Sequence, residues 1–297
     1  GPEFSKRIDQ IIKTGLLNLQ DNFKIYWNNF PIARLQPGKD YLDPEISLIV
    51  DDIIEINERN KLKSYIERWL KEKINSVLKS LIDLKSLEET NPSIRALAYQ
   101  LYENNGVVKR EMITDYLNKL EQEDRKILRK LGVKFGRYHI FLFKLFKPEA
   151  VLLRILLWKN YHQKYFNLNP PKFGLNFIES SDFKNKSFML LCGFENFDKF
   201  FVRIDILERL FVQIINTNSE KKDIYKEIKL IPEMLNLLGC NKENFIKLIQ
   251  KMNYKTYIKE KEIYLKYIPG KNKFKKFKKD NQINDNPFKV LKNINFS

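Results

Sequence analysis

Apolar residues recur at steps of three and four between Leu62 and Leu81, and this spacing constrains the fold more than any other feature of the sequence. An α-helix turns once in about 3.6 residues, so the spacing places these residues along one side of a helix. A similar series runs from Ile46 to Ile54. The two series predict two amphipathic helices, and each needs a core to cover its apolar stripe.

Turn-forming residues mark further elements in the first half of the chain. The β-prone run Phe23–Trp27 is followed by Asn28-Asn29 and by a short return to Leu35, which predicts a β-hairpin. Gly106 and Gly132 are expected to end helical stretches. We therefore expect helices at about residues 94–104, 109–120 and 123–131, and a long apolar helix that opens at Lys147-Pro148.

The second half of the chain has elements in a definite order. A linker is expected from Asn169-Pro170-Pro171, and strands are expected at Phe188–Phe194 and Phe200–Ile204. The elements predicted next are a helix near 205–216, a short helix Pro232–Leu238, a turn at Gly239, a helix through Lys251, and a hairpin of Tyr254–Ile258 and Ile263–Ile268. Helix, helix, tight turn, helix and hairpin is the order of a winged helix.

Together these elements predict a mainly α fold. We expect a multi-helix domain with a short β-hairpin near its start, followed by a winged-helix-like α+β module. The predicted divisions are a cloning remnant (1–4), a helical accessory domain with the N-terminal β-hairpin (5–168), a linker and β-hairpin (169–202), the winged-helix-like module (203–268) and a basic flexible tail (269–297). The irregular spacing of the elements argues against a solenoid.

The charge of the chain restricts its partners. It has 54 Lys and Arg against 37 Asp and Glu, a formal net charge of +17. Such a surplus indicates a polyanionic partner, either nucleic acid or an acidic membrane surface. No segment reaches the roughly 18 apolar residues of a membrane helix, and Cys192 and Cys240 are too few for a disulfide framework. We therefore expect a cytoplasmic protein without a membrane partner.

Motifs for catalysis are missing from the sequence. Gly38-Lys39 and Gly270-Lys271 lack the Ser or Thr that a phosphate-binding loop places after its Lys. His139, Cys192 and Cys240 lack the spacing of a zinc site, although the three side chains could meet in space. We expect this chain alone to have no enzymatic activity and to hold no cofactor.

A basic run between Arg125 and Pro148 is the strongest binding signal. It holds eight Lys or Arg residues and no acid, and such a run repels itself unless it faces anions. The candidate phosphate contacts are Arg129, Lys130, Lys134, Arg137 and Lys144. Tyr138 is a candidate for stacking on bases. The alternative is that the aromatic residues belong to the core and the cations only keep the surface soluble.

Two further groups of lysines are candidate contacts. Lys247 and Lys251 lie on the third helix of the predicted winged helix, which enters a groove in proteins of this type, and Lys255 lies on the hairpin. Residues 271–279 hold six Lys in nine positions, which would give salt-sensitive affinity without sequence preference. The contacts predicted there are Lys273, Lys275 and Lys276. The alternatives are a packing module for the first group and a solvated extension for the second.

Several segments, in this order, resemble the C-terminal region of alphaproteobacterial superfamily 2 helicases related to the mitochondrial RNA-degradosome helicase. The most specific segments are Leu128–His139 (LRKLGVKFGRYH) and Leu153–Trp158 (LRILLW). Other resembling segments are Ile25–Leu42, Ile94–Leu101, Val202–Leu210, Pro232–Cys240 and Asn286–Phe288. The resemblance covers nearly the whole chain after residue 4.

The resemblance implies an accessory region of a larger ATP-dependent helicase. In that family, two RecA-like motor domains precede this region, bind ATP and Mg²⁺ and translocate along RNA or DNA. None of the motor motifs occurs in this chain, so no catalytic residue is carried over. The implied partners are single-stranded or structured RNA or DNA, the motor domains and an RNA-processing protein. Two other functions stay open: a protein-interaction scaffold for the helicase, and a free-standing winged-helix regulator that binds nucleic acid.

Overall fold

The structure, a computed structural model, describes residues 2–49, 55–88, 91–180, 185–216 and 226–268. About 50% of these residues are helical and 22% lie in strands. The strands form four small antiparallel sheets within the described ranges. The expectation of a mainly α fold is therefore wrong, and the protein is an α+β mixture. Most of the strands are too short for an alternating pattern to show in the sequence, which is why helices dominated the prediction.

The N-terminal part combines helices with a meander of order β1-β2-β3-β4. Its elements are α1 (Pro2–Thr14), β1 (Leu17–Leu19), β2 (Lys24–Trp27), β3 (Phe30–Gln36), β4 (Glu45–Leu48), α2 (Ile56–Val77) and α3 (Lys79–Lys85). The predicted hairpin is confirmed as β2 and β3. The helix predicted from Ile46 is wrong, because that segment begins with β4, in which Ile46 pairs with Leu35 of β3.

Residues 91–146 form what we call the first module. Its elements are α4 (Pro92–Glu103), β5 (Val107–Lys109), a 3₁₀ turn (Arg110–Ile113), α5 (Thr114–Asn118), α6 (Gln122–Lys130), β6 (Val133–Phe135), β7 (His139–Leu142) and a second 3₁₀ turn (Phe143–Phe146). The sheet order is β5-β7-β6, so the first strand lies beside the last. This is the arrangement of a winged helix. The sequence predicted its helices but not its sheet, which closes by pairing Val107 with Phe141.

The next segment contains a long helix and a third sheet. Its elements are α7 (Pro148–His162), β8 (Phe177–Glu179), α8 (Lys186–Leu191), β9 (Phe194–Phe197) and β10 (Phe200–Arg203). The sheet order is β8-β10-β9. The strand predicted from Phe188 is instead α8, since the Asn185 side chain accepts a hydrogen bond from the Phe188 N–H at 2.9 Å and caps a helix there.

Residues 204–268 repeat the arrangement of the first module and form the second module. Its elements are α9 (Ile204–Asn216), β11 (Ile228–Lys229), α10 (Pro232–Leu238), α11 (Lys242–Lys251), β12 (Tyr254–Lys259) and β13 (Glu262–Tyr267), with sheet order β11-β13-β12. Pro232 begins α10, and the Asn241 side chain caps α11 by accepting from the Asn244 N–H at 2.8 Å. These local signals explain why the helix bounds match the sequence prediction.

The chain divides into two compact units. The first consists of the described residues up to 86 together with 147–169, and the second consists of 87–146 together with the described residues from 170 onward. The second unit therefore contains both modules. In the first unit, α2 buries Leu62, Ile66 and Leu70 and packs against α7 and β4. The predicted tail at 269–297 lies outside the described residues.

Candidate nucleic-acid interface

The basic face of the first module is built on α6. The helix begins where Asp124 accepts hydrogen bonds from the Glu121 N–H and from the Asn91 side chain, both at 2.9 Å. Arg125 and Arg129 lie one turn apart, so they share a face. Their guanidinium carbons lie 5.3 and 5.4 Å from the centre of the Phe135 ring on β6. The ring and the two arginines thus hold each other in place along this face.

A cavity of about 690 Å³ opens on the same side of the first module. Five of its lining residues carry positive charge: Arg110, Arg129, Lys134, Arg137 and Arg209. We call this space the basic cavity. Phe135, Phe141, Phe143 and Phe211 supply its aromatic wall, and Lys134 Nζ lies 5.0 Å from the centre of the Phe143 ring. A pocket of this size can enclose a nucleotide-sized ligand.

The two carboxylates that line the basic cavity are already engaged. Asp205 forms an ion pair with Arg203, with 2.8 Å between Oδ1 and Nε. Glu208 is held by backbone donors as described below. In contrast, Arg129, Lys134 and Arg209 form no ion pair with any residue in the described ranges. Burial, and to a smaller extent the nearby charge of Arg125, lowers the pKa of Arg110, whereas the charge of Glu208 raises it.

Glu208 of α9 is surrounded by the loop between β6 and β7. Its Oε2 accepts the Arg137 N–H at 2.7 Å. Its Oε1 accepts the N–H groups of Tyr138 at 3.0 Å and His139 at 2.9 Å. A Cβ at position 136 would lie 2.4 Å from Cδ of Glu208, so only glycine lets the carboxylate approach. The segment GRYH (136–139) therefore receives a carboxylate from the second module.

Arg137 and Tyr138 face the second module. The Arg137 guanidinium carbon lies between 4.8 and 5.9 Å from the ring centres of four aromatic residues, which are Tyr138, Phe211, Tyr254 and Tyr267. The Tyr138 ring lies 4.4 Å from that of Phe211. The sequence assigned Arg137 to phosphate and Tyr138 to bases. The structure uses both side chains to join the two modules, as the alternative of core aromatics anticipated for Tyr138.

His139 links Glu208 to a second buried carboxylate. Its Nδ1 lies 3.1 Å from Glu208 and its Nε2 lies 3.7 Å from Glu195, which also pairs with Lys109 at 3.0 Å. Burial lowers the pKa of His139, but the hydrogen bonds and charges of Glu195 and Glu208 outweigh burial and raise it above its ordinary value. For Glu195, burial raises the pKa, but His139 and Lys109 together lower it below its ordinary value. The group is thus a buried network of opposite charges.

The predicted cations of the second module are partly neutralised. Lys247 pairs with Glu243 at 3.0 Å, and Lys251 lies 3.8 Å from Asp198. All four side chains are about half exposed or more, so each pair is weak, but each carboxylate lowers the local positive potential. Lys255 is exposed on β12 and forms no ion pair with a described residue. This face is less positive than the basic cavity.

The remaining predicted contacts fall into two groups. Lys130, at the end of α6, and Lys144, in the turn after β7, are exposed and carry no ion pair within the described part of the chain. Lys273, Lys275 and Lys276 lie outside the described residues. The sequence missed Arg110 and Arg209, since isolated arginines on the polar side of an element give no pattern until the fold brings them to the basic cavity.

Other kinds of site find little support in the described residues. No group of three or more His, Cys, Asp and Glu side chains there is arranged to hold a metal ion. Burial raises the pKa of the Cys240 thiol to about 11, which disfavours the thiolate that a metal requires. Among the helices of these ranges, none combines the length and apolar character needed to cross a bilayer.

Comparison of this chain with models of protein families, with curated proteins and with solved structures finds no match.

Proposed function

We propose that this chain binds nucleic acid through the basic cavity and the adjoining face of α6. The observation that carries the proposal is the gathering of five cationic side chains around one cavity, while its two carboxylates are held by other partners. Lysines and arginines arranged in this way neutralise phosphates and release the counterions that surround them. Lys130 and Lys144 extend the positive surface beyond the cavity.

We expect a single strand rather than a duplex to occupy this surface. A winged helix that reads a duplex inserts the N-terminal half of its third helix into a groove. In the first module that half carries Glu121 and Glu123, which repel phosphates. The exposed Phe143 ring beside Lys134 offers a surface on which an unpaired base can stack.

We further propose, from the resemblance of the sequence to helicase C-terminal regions, that this binding surface belongs to a larger protein. We propose that the chain is a non-catalytic accessory region, located in the cytoplasm, that positions RNA or DNA for RecA-like motor domains. ATP and Mg²⁺ would then belong to those motor domains, and an RNA-processing protein would be a further partner. The resemblance at Leu128–His139 supports this context, because that segment forms α6, β6 and the loop that receives Glu208.

The decisive experiment is a titration of the chain with single-stranded and duplex RNA and DNA at two salt concentrations, with an ATPase assay in parallel. We expect preference for single strands, a steep loss of affinity with salt and no ATP hydrolysis. The variant R129A/K134A/K144A should reduce the salt dependence, because each lost phosphate contact removes about 0.7 from the logarithmic slope for a single strand.

A matched control removes the same charge from the first unit. Lys63, Lys71 and Lys79 are exposed on α2 and α3, and K63A/K71A/K79A should leave the salt slope unchanged. The variant K247A/K251A/K255A tests the second module in the same way. Equal losses in all three variants would show that only net charge matters and would contradict the assignment. Protein partners that co-purify after nuclease and high-salt treatment would favour the scaffold function instead.

A further inference from the structure

We propose that the loop Gly136–His139 is a phosphate-binding site and that Glu208 occupies it when nucleic acid is not bound. Glu208 then acts as an internal competitor that restrains binding at the basic cavity. The identification of a nucleic-acid phosphate as the natural competitor rests on the proposed function. The anion-binding property of the loop does not, because it follows from the loop's own donors.

The loop presents a set of donors suited to an oxyanion. Three successive backbone N–H groups, those of Arg137, Tyr138 and His139, point at the two oxygens of one carboxylate at 2.7 to 3.0 Å. Successive backbone N–H groups of this kind form a concave site that binds anions, including phosphate. Gly136 leaves the space in which the anion sits, since a Cβ there would meet both the carboxylate and the His139 carbonyl oxygen.

Cationic groups support the same site. The Arg110 guanidinium donates to the Gly136 carbonyl oxygen at 2.7 Å, and the Arg110 N–H donates to the Tyr138 carbonyl oxygen at 2.8 Å. Arg110 therefore fixes the loop while its charge lies close to the bound anion. The Arg137 guanidinium faces the aromatic rings of the second module instead, with its carbon 4.8 Å from the centre of the Tyr267 ring, so Arg137 contributes its backbone N–H to the site.

The site opens toward the basic cavity. Gly136, Arg137 and Glu208 line that cavity together with Arg129 and Lys134. A phosphate that enters the cavity therefore meets attraction from its walls and repulsion from the Glu208 carboxylate. Removal of this carboxylate from the loop would replace the repulsion with three free donors. Glu208 also lies 3.1 Å from Nδ1 of His139, so its release from the loop breaks this ion pair as well.

The competition depends on how many charges the ligand carries. Glu208 is attached to α9 and so has a high effective concentration at the loop. A single phosphate ion lacks this advantage, whereas a strand held by Arg129, Lys134 and Arg209 places its next phosphate near the loop at comparable effective concentration. We therefore expect polynucleotide, and not inorganic phosphate, to displace Glu208 in the wild-type protein.

The test uses E208A and E208Q in the full chain, with D205N as the matched control. Asp205 lines the same cavity, so D205N makes the same charge change as E208Q without touching the loop. Inorganic phosphate should raise the thermal midpoint of E208A relative to chloride at equal ionic strength, and should move the amide resonances of Arg137, Tyr138 and His139. Neither effect is expected in the wild type or in D205N, and a purely structural role for Glu208 predicts neither effect in any variant.

A second arm uses a single-stranded oligonucleotide. E208Q should bind it about tenfold more tightly than the wild type, as expected for loss of a competitor held by charge-assisted hydrogen bonds, and D205N should gain much less. Equal gains in oligonucleotide affinity in E208Q and D205N would overturn the proposed role of Glu208 as a competitor. Amide resonances of E208Q and E208A that do not move with phosphate would overturn the anion site. If phosphate raises the thermal midpoint of E208A and moves its amide resonances, but no variant binds the oligonucleotide, the anion site is supported and only the proposed function is contradicted. If E208A does not fold, the amide resonances are measured in E208Q instead.

Discussion

Gly136 and Glu208 fit together so closely that a Cβ on residue 136 would lie 2.4 Å from the Glu208 carboxyl carbon. The contact joins the loop of the first module to the first helix of the second module. Every property proposed for the basic cavity depends on this junction, because it fixes Arg137, Arg209 and Glu208 around the same space.

We expect G136A to destabilise the second unit. The added methyl group must displace either the carboxylate or the His139 carbonyl oxygen, and overpacking of this kind costs about 1–3 kcal/mol. The free energy of unfolding, measured by denaturant titration, gives the cost. In the E208A background the same substitution should cost less, because one of its two clashes has been removed. Equal costs in both backgrounds would contradict the close fit.

The stability of the second unit should fall as the pH rises above neutrality. The pKa of His139 is raised in the folded protein, so its charge stabilises the fold fully below the ordinary value of about 6.5 and the contribution is lost as the pH rises through the folded value. The pKa of Glu195 is lowered, so its contribution is present above its ordinary value and is lost as the pH falls through the folded value. Unfolding free energies measured between about pH 2 and pH 9, which extends about two units beyond both ordinary values, would show a maximum between the two transitions.

The His139→Gln variant checks this assignment. It should remove the decline on the alkaline side. Burial lowers the pKa of His162 in the first unit, so the contribution of His162 to stability increases with pH, opposite to that of His139. The proteins with and without the His139→Gln substitution are therefore both measured in the H162Q background. A decline that persists in the His139→Gln variant would assign the pH dependence to another group.

Arg137 should contribute to stability more than to nucleic-acid affinity. Its guanidinium group lies against four aromatic rings, and loss of such contacts costs about 1–2 kcal/mol when they are desolvated. We therefore expect R137A to lower the unfolding free energy by this amount, and R137K to restore part of it. R129A, on the exposed edge of the same cavity, should weaken nucleic-acid binding and leave the unfolding free energy nearly unchanged. If R137A weakens binding without affecting stability, its phosphate assignment from the sequence is correct.

Neutralising the exposed acids of α10 and α11 should have little effect on nucleic-acid binding. Glu243 pairs with Lys247, and the charge-matched Glu233 is exposed on α10. If the basic cavity carries the affinity, E243Q and E233Q should raise oligonucleotide affinity by the same small factor. A gain specific to E243Q would indicate that the third helix of the second module contacts nucleic acid, as the sequence suggested.

Local signals predicted the helices well. Pro232 and Asn241 fixed α10 and α11 because each acts on the first turn of its own helix. The same kind of signal was overlooked at Asn185, where the cap of α8 was hidden in an apolar run that resembles a strand. At Ile46 the spacing favoured a helix, but pairing with Leu35 selected a strand.

Contacts between distant residues were not predictable from spacing. The sheet of the first module depends on pairs such as Val107 with Phe141, which no local pattern reports. The basic run drew attention to Arg129 and Lys134, and both residues line the basic cavity. The sequence did not predict Arg209 and Glu208 as site residues, because they lie about 70 residues away from the loop in the chain. The polar side of their helix has no pattern that distinguishes it from any solvent-exposed helix face.

The interrupted first unit has a consequence for synthesis on the ribosome. Its helix α2 packs against α7, yet residues 87–146 of the other unit lie between them in the chain. The side of α2 that packs against α7 therefore stays uncovered by that helix until translation has passed residue 162. The segment from α4 to β7 is complete earlier and can already form its own sheet. A nascent polypeptide stalled before α7 would therefore leave the side of α2 that packs against α7 exposed to chaperones and proteases.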